Sequence, residues 1–400
     1  MTQASPGRRV MIIAGETSGD NHGARLVREM TAKSPDLTFC GIGGQKMKEA
    51  GVDILVEAGR LSVVGITEVF SRLPVVISEA SRVKKEMLRH RPELLILIDF
   101  PDFNLHMAKF AKKNSVPVLY YISPQLWAWR RGRIRKIRRF VDHMAVILPF
   151  EKDFYQTHGV AATFVGHPLL DHYAQEAGEL KSSADEERIT VGLLPGSRYS
   201  EIRRNLPVML AAANRLGNQI GEIGFVVSMA PGIDRQWLEG FLGPYRDVLD
   251  IELKPGAIEK VLNVCTLVVA ASGTVTLEAA IFGVPMVIMY RISPVNYMLG
   301  RMLVNVDHIG LANIIAGERV VPELIQKQAN PAAIACTVSH LLSDPDALAV
   351  LRRRLLSVRA MLGRQGASGK TADIALSMIR PAGEKGASPY KENSGVLSCL

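Results

Sequence analysis

Leu267-Val268-Val269-Ala270-Ala271-Ser272-Gly273-Thr274-Val275-Thr276-Leu277-Glu278-Ala279-Ala280-Ile281-Phe282-Gly283-Val284-Pro285 joins a short, β-branched apolar run to a turn of small residues and an apolar helical segment. The first five residues read as a buried parallel strand, and a helix starts at the turn. Unsatisfied backbone N–H groups and the positive end of the dipole make such an N-terminus a seat for a diphosphate. Glu278, about one turn in, would repel the diphosphate but can accept hydrogen bonds from the vicinal hydroxyls of a ribose. The competing role, the glutamate of a capping box, needs a capping side chain three residues earlier, and Val275 has none. The stretch therefore predicts a strand, turn and helix that cradle a nucleotide, with an ordinary α/β turn and a solvated acid as the alternative.

The same rhythm runs outward in both directions. Short apolar runs alternate with helical segments at Val10–Ala14, Leu37–Cys40, Leu94–Ile98, Val116–Ile122, Met144–Leu148 and Thr163–Val165, and again at Ile189–Leu194, Ile223–Val227, Leu267–Ala271 and Met286–Met289. This is βα repetition around parallel sheets. The expected division is a doubly wound domain over 1–170, a polar linker over 171–188 rich in Glu, Ser and Asp, a second doubly wound domain over 189–346, closing helices over 347–380, and a disordered tail over 381–400. Two such domains facing one another predict a cleft at the carboxyl ends of both sheets.

A chain of 400 residues with 48% apolar composition supports two full cores and excludes disorder for most of its length. No apolar run approaches the ~18–20 residues of a membrane span, and Val10–Ala14 is too short for a signal-peptide core, so the expected location is cytoplasmic. Cys40, Cys265, Cys336 and Cys399 show no metal or disulfide spacing. The net charge of +9 is partly local, since seven of the ten residues from Arg130 to Arg139 are Arg or Lys. Such a block points to phosphate, nucleic acid or an anionic membrane.

Several loops carry candidate chemistry. In Val191-Gly192-Leu193-Leu194-Pro195-Gly196-Ser197-Arg198 a strand runs into a Pro-Gly turn. The guanidinium of Arg198 would neutralise a diphosphate leaving group, or else pair with Glu201 at the surface. Ala14-Gly15-Glu16-Thr17-Ser18-Gly19-Asp20-Asn21-His22-Gly23 holds three glycines, which predict a tight loop near a ligand. Glu16 there is either a base or a loop acid bonded to its own backbone, and His22 reads as structural. Asp99, where the run Ile96-Leu97-Ile98 emerges, is the favoured general base, with a pKa raised by apolar neighbours. Capping of the next helix falls to Asp102 and Asn104. Gly41-Ile42-Gly43-Gly44 lacks the third glycine of a dinucleotide fingerprint, and Asp344-Pro345-Asp346 reads as a turn and helix cap, so neither a cofactor nor a metal is expected.

Leu126-Trp127-Ala128-Trp129-Arg130-Arg131-Gly132-Arg133 couples two tryptophans to the basic block. Trp127, Trp129, Arg130, Arg131 and Arg133 are candidates for an acceptor phosphate or an anionic lipid surface. Val64, Ile66, Val69 and Phe70 form a second apolar candidate for acyl chains or bilayer contact. The alternatives are that the tryptophans fill the core and that residues 61–74 pack on their own sheet. Nucleic-acid binding is the less favoured use of the patch.

Taken in order, AGETSGDNHGARL at 14–26, GIGG at 41–44, SVVGITEV at 62–69, IDFPDFN at 98–104, YYISPQLWAWRRGRIRKIRR at 120–139, VGHPL at 165–169, LLPGSR at 193–198, SGTVTLEAAIFGVPMV at 272–287 and LANIIAGERVVPELIQ at 311–326 resemble the lipid-A-disaccharide synthase family, inverting glycosyltransferases of the two-domain GT-B class. The resemblance implies a GT-B fold and transfer of 2,3-diacylglucosamine from UDP-2,3-diacylglucosamine to the 6-hydroxyl of 2,3-diacylglucosamine 1-phosphate. The products would be a β-1,6 disaccharide and UDP. It implies UDP held by Ser197, Arg198, Ser272, Gly273, Thr274, Glu278, Asn313 and Gln326, and Asp99 or Glu16 as base. It also implies peripheral association with the inner membrane and leaves homo-oligomerisation open, with no nucleic acid as partner. The rival readings are another UDP-sugar transferase, a UDP-sugar isomerase that needs no acceptor, and a non-enzymatic membrane or nucleic-acid adaptor.

Overall fold

The computed structural model describes residues 8–60, 66–129, 131–174, 188–293, 297 and 307–379, with the side chains of 66–73 and 131 left aside. Most of the expected linker at 171–188 and the tail at 381–400 fall outside the described residues.

Among the described residues thirteen strands form two parallel sheets. The first has the order β3-β2-β1-β4-β5-β6-β7. Its strands are β1 (Arg9–Ala14), β2 (Thr38–Gly43), β3 (Val52–Glu57), β4 (Leu94–Ile98), β5 (Val118–Tyr121), β6 (His143–Val146) and β7 (Ala162–Phe164). The second has the order β10-β9-β8-β11-β12-β13. It comprises β8 (Ile189–Leu194), β9 (Ile223–Met229), β10 (Asp250–Pro255), β11 (Leu267–Ala271), β12 (Met286–Tyr290) and β13 (Glu323–Ile325). Continuous apolar runs become the central strands because helices cover both faces, and β4, Leu-Leu-Ile-Leu-Ile, is buried at every position. The sequence runs miss β3, β10 and β13. The first two are sheet edges with charges interleaved, as in Asp250-Ile251-Glu252-Leu253-Lys254-Pro255, and the third has only three residues.

By packing, the described residues divide into two compact units, one within 8–124, 135–145 and 368–379, the other within 125–134 and 146–367. The closing helical run is two helices, Pro345–Met361 and Ala367–Met378. Gly363 and Gly366 between them adopt left-handed backbone. The intervening segment is held in the second unit by His167, whose N–H donates to the Leu362 carbonyl (2.9 Å), and by Asp171, whose Oδ1 accepts from the Gly366 N–H (2.6 Å). Asp344 caps Pro345–Met361 as expected, its Oδ1 accepting from the Ala347 N–H at 2.9 Å.

Strand order fixes where ligands can sit. In an open parallel sheet the crevice lies at the carboxyl ends of the strands where the order reverses. In the first sheet that point is between β1 and β4, paired in register from Val10↔Leu94 to Ala14↔Ile98. In the second it is between β8 and β11, paired from Leu267↔Val191 to Ala270↔Leu194. Glu16 and Asp99 follow the first pair of strands, and Ser197, Arg198 and Ser272–Thr274 follow the second.

Of the three glycines after β1, Gly15 stands in the turn, but the other two do not form a loop. Gly19 and Gly23 lie inside the helix Thr17–Lys33, four residues apart on one face. A Cβ on Gly19 would stand 3.2 Å from that of Ala14, and one on Gly23 would stand 2.7 Å from Met47 Sδ. They let the helix approach its neighbours closely. Gly41 is tighter still, with φ +153° and a would-be Cβ 1.9 Å from the Ile12 carbonyl oxygen in the adjacent strand. Gly41→Ala is therefore expected to lower unfolding free energy by about 2–5 kcal/mol, through displaced strand pairing plus backbone strain. Urea titration of the variant checks this.

Candidate active site

In the first unit Asp99 and Phe100 are consecutive left-handed residues, with φ +46° and +48°. An aspartate tolerates this conformation, whereas a bulky residue resists it. Their geometry is imposed from outside. Asn104, fully buried, donates from Nδ2 to the carbonyls of Asp99 (2.6 Å) and Ile98 (3.2 Å), and the Tyr120 hydroxyl donates to the same Asp99 carbonyl at 2.6 Å. The Phe100 ring covers Gly15, where a Cβ would lie 2.3 Å from the ring. Capping by Asp102 or Asn104 is not what forms here. The N-cap of Pro101–Lys113 is Phe100, without a side-chain cap, because Asn104 turns back to the strand end and Pro101 at N1 needs no partner for its nitrogen.

The Asp99 carboxyl is pushed up to about 6, first by burial and then by the Glu16 carboxylate, with the Phe100 N–H pulling the other way. Glu16 is the exposed N-cap residue of Thr17–Lys33 and makes no side-chain capping bond, so the loop acid bonded to its own helix start is not the arrangement found. The pattern also hid Asp20. Buried, it accepts from the N–H groups of Gly44 (2.7 Å), Lys46 (3.0 Å) and Met47 (3.1 Å), so it occupies the start of the helix Gln45–Glu49. This accounts for Gly44 in the Gly41-Ile42-Gly43-Gly44 stretch, where a Cβ would stand 2.7 Å from Asp20 Oδ2. His22 packs edge-on to Tyr121, with ring centroids 6.4 Å apart.

In the second unit the turn after β8 is shaped by Glu201, whose Oε2 accepts from the N–H groups of Ser197 (3.1 Å) and Arg198 (3.4 Å). Buried Asn205 donates to the Pro195 carbonyl at 2.9 Å, the counterpart of Asn104 in the other sheet. The Arg198 guanidinium stands 3.6 Å from Glu201 and is 72% exposed. So exposed a pair contributes under ~1 kcal/mol and yields readily to a stronger anion.

After β11, Ser272 Oγ donates to the Ile309 carbonyl (3.2 Å) and Thr276 Oγ1 to that of Gly273 (2.9 Å), while Gly273 and Thr274 are exposed at the helix start. The helix is Val275–Ile281 with Thr274 as N-cap, which puts Glu278 beyond capping-box reach. Half-buried Glu278 takes a hydrogen bond on Oε1 from the Tyr173 hydroxyl at 2.7 Å. Burial raises its carboxyl pKa, the Tyr173 bond opposes the rise, and Glu259 adds to it.

Asn313 and Gln326 do not present open side chains. Buried Asn313 accepts from the N–H groups of Val320 (2.8 Å) and Val321 (2.9 Å) and donates to the Val321 carbonyl (2.9 Å) and Glu323 Oε1 (2.8 Å). Gln326 is paired in both directions with the backbone of Ile292. In this arrangement both amides fasten backbone. Their hub, Glu323, was not singled out from the sequence: buried in β13, it accepts from the N–H groups of Ile309 (3.0 Å) and Gly310 (2.8 Å) as well as from Asn313.

Trp127 belongs to the core. It is 8% exposed, its Nε1 donates to buried Glu151 at 3.2 Å, and its ring meets Phe150 edge-on. The surface role is thereby removed from Trp127, whereas Trp129 is 39% exposed. Arg133 is half-exposed, and the helix Ile134–Phe140 buries Ile137 while exposing Arg135, Lys136, Arg138 and Arg139. Val64 and Arg130, and the side chains of Ile66, Val69, Phe70 and Arg131, lie outside the described residues. Among the described residues no single helix is long and apolar enough to cross a membrane, and no group of His, Cys, Asp or Glu is arranged for a metal.

Two doubly wound parallel sheets, each with polar groups at its switch point, define the class as a GT-B-type fold. A solved UDP-GlcNAc 2-epimerase from Neisseria meningitidis shares it, with a TM-score of 0.64 and 10% identity over 92% of this chain and 100% of that one. A family model for lipid-A-disaccharide synthetase matches residues 10–375. Lipid-A-disaccharide synthases of Syntrophus aciditrophicus and Trichlorobacter lovleyi are each 46% identical over 380 residues, covering 93% of this chain and 98% of theirs. The chain belongs to the lipid-A-disaccharide synthase family and is a glycosyltransferase.

Two stability predictions follow from the site. Unfolded Asp99 ionises near 3.8 and folded Asp99 near 6, so ionisation costs folded stability progressively as pH rises through that window. Asp99→Asn should be about 1–3 kcal/mol more stable than the parent at neutral pH, a gain that vanishes below about pH 4. Denaturant titrations at both pH values check the sign. Glu323→Ala should cost about 3 kcal/mol or more, because buried N–H groups lose their acceptor, and calorimetric melting reads it.

Proposed function

We propose that this glycosyltransferase uses UDP-2,3-diacylglucosamine as donor and 2,3-diacylglucosamine 1-phosphate as acceptor. It transfers the sugar with inversion to the acceptor 6-hydroxyl, forming the β-1,6 disaccharide of lipid A and releasing UDP. Beside the family match, the observation that carries this reading is the position of Asp99, in left-handed backbone at the switch point of the first sheet, where burial and the Glu16 charge raise its carboxyl pKa. A base must be ionised at working pH yet hold a proton well, and a carboxyl titrating near 6 meets both conditions better than one near 3.8.

The acceptor oxygen attacks the anomeric carbon while Asp99 takes its proton, and the bond from that carbon to the UDP oxygen breaks. Arg198 and the backbone N–H groups of Gly273 and Thr274 stabilise the charge developing on the diphosphate. Glu278 receives the ribose hydroxyls. Glu16 acts on Asp99 through its charge, keeping the base strong, and is the second candidate for proton removal. The enzyme works peripherally at the inner-membrane surface, and the candidate contacts for anionic lipid are Trp129 in the second unit and, in the first, the exposed cations of 135–139. An isomerase reading finds support only in the shared fold, and fold does not select chemistry.

The direct test is UDP release in detergent, with and without acceptor and no added metal, with product mass. Acceptor-dependent release and a disaccharide mass are expected; release without acceptor contradicts the reading. Asp99→Ala should lower kcat by roughly 10²–10⁴-fold with UDP affinity unchanged. In the parent, kcat/KM should fall as pH drops through about 6, because protonation removes the base. Glu278→Ala should weaken UDP binding by about 1–3 kcal/mol, read by calorimetry.

A further inference from the structure

Tyr173 stands 105 residues before Glu278 and outside every motif discussed above, yet its hydroxyl lies 2.7 Å from Glu278 Oε1. It is 4% exposed. Its ring is held on two sides, against Phe282 at the end of the Glu278 helix (centroids 5.1 Å, edge-on) and against His172 (4.5 Å). Its N–H donates to the Leu169 carbonyl at 3.0 Å, which ties it to the short helix Pro168–His172. The hydroxyl therefore cannot wander, and it takes one carboxylate oxygen of Glu278. Among the described residues Glu278 Oε2 receives no hydrogen bond.

A tyrosine and a glutamate are a costly pair to place where a phenylalanine and a leucine would pack, since each polar atom loses water on burial. The arrangement makes sense if the carboxylate must be ionised and aimed. We propose that Tyr173 is a specificity-determining positioning residue: by fixing Oε1 of Glu278 it turns Oε2 toward a vicinal diol, so the seat selects a ribonucleoside diphosphate over its 2′-deoxy counterpart. This rests on the reading of Glu278 as the ribose contact.

The test compares UDP with 2′-deoxy-UDP by calorimetry in the parent, Tyr173→Phe, Glu278→Gln and the double variant, across about pH 5.5–8.5. Taking the ratio of the two dissociation constants cancels the titration of the phosphates, which both ligands share. The parent should prefer UDP by about tenfold, the scale of one hydrogen bond to a charged acceptor. Tyr173→Phe keeps the ring packing and should lower that preference by about 3–10-fold while leaving 2′-deoxy-UDP affinity unchanged. A merely structural loss would weaken both ligands alike. In Tyr173→Phe the pH below which preference disappears should move upward, because the bond that favours the ionised carboxylate is gone. The double variant should discriminate no less than Glu278→Gln alone. Full discrimination in Tyr173→Phe, with its loss in Glu278→Gln, overturns this inference and spares the ribose contact; full discrimination in Glu278→Gln overturns both.

Discussion

The setting of Asp99 in the first unit depends on a backbone held against its own preference. Asp99 and Phe100 sit in left-handed backbone at the end of a completely buried strand. Two side chains, from Asn104 and Tyr120, donate to one carbonyl there, and a ring fills the space that Gly15 leaves. The Asp99 carboxylate at this strand end has the Phe100 N–H on the lowering side, and burial and the Glu16 charge outweigh it. Strain, a basic carboxyl and a switch-point position are one arrangement with three consequences.

The second unit solves a similar problem with different atoms. Asn205 holds the strand-end carbonyl of Pro195, as Asn104 holds that of Asp99. Glu323 takes the N–H groups at Ile309 and Gly310, and the Ile309 carbonyl then receives Ser272 Oγ. The buried carboxylate so takes the N–H groups just before the helix Leu311–Ala316. The exposed start of Val275–Ile281 stays available. Asn313 and Gln326 fasten the backbone of the loops beside it.

Central strands, both switch-point loops and the exceptional position of Asp99 were legible because continuous apolar runs and small-residue turns are local signals. Edge strands with interleaved charge were not, since their apolar period is broken. Gly19 and Gly23 look like loop residues in sequence, and only the packing of their helix against Ala14 and Met47 reveals their function. The sequence leaves Trp127 open between surface and core, and its bond to buried Glu151, 24 residues away, decides for the core. Asp20, Tyr173 and Glu323 each act on backbone or side chains at least ten residues away, and no single-sequence pattern reports such pairs.

The central claim is that the fold makes Asp99 a strong enough base to accept the acceptor proton. Its carboxyl band can be followed directly by infrared titration, assigned by its loss in Asp99→Asn, in the parent and in Glu16→Gln. A midpoint near 6 in the parent, moving down when the Glu16 charge is removed, is the result this account requires. An ordinary midpoint near 3.8, indifferent to Glu16, would contradict it.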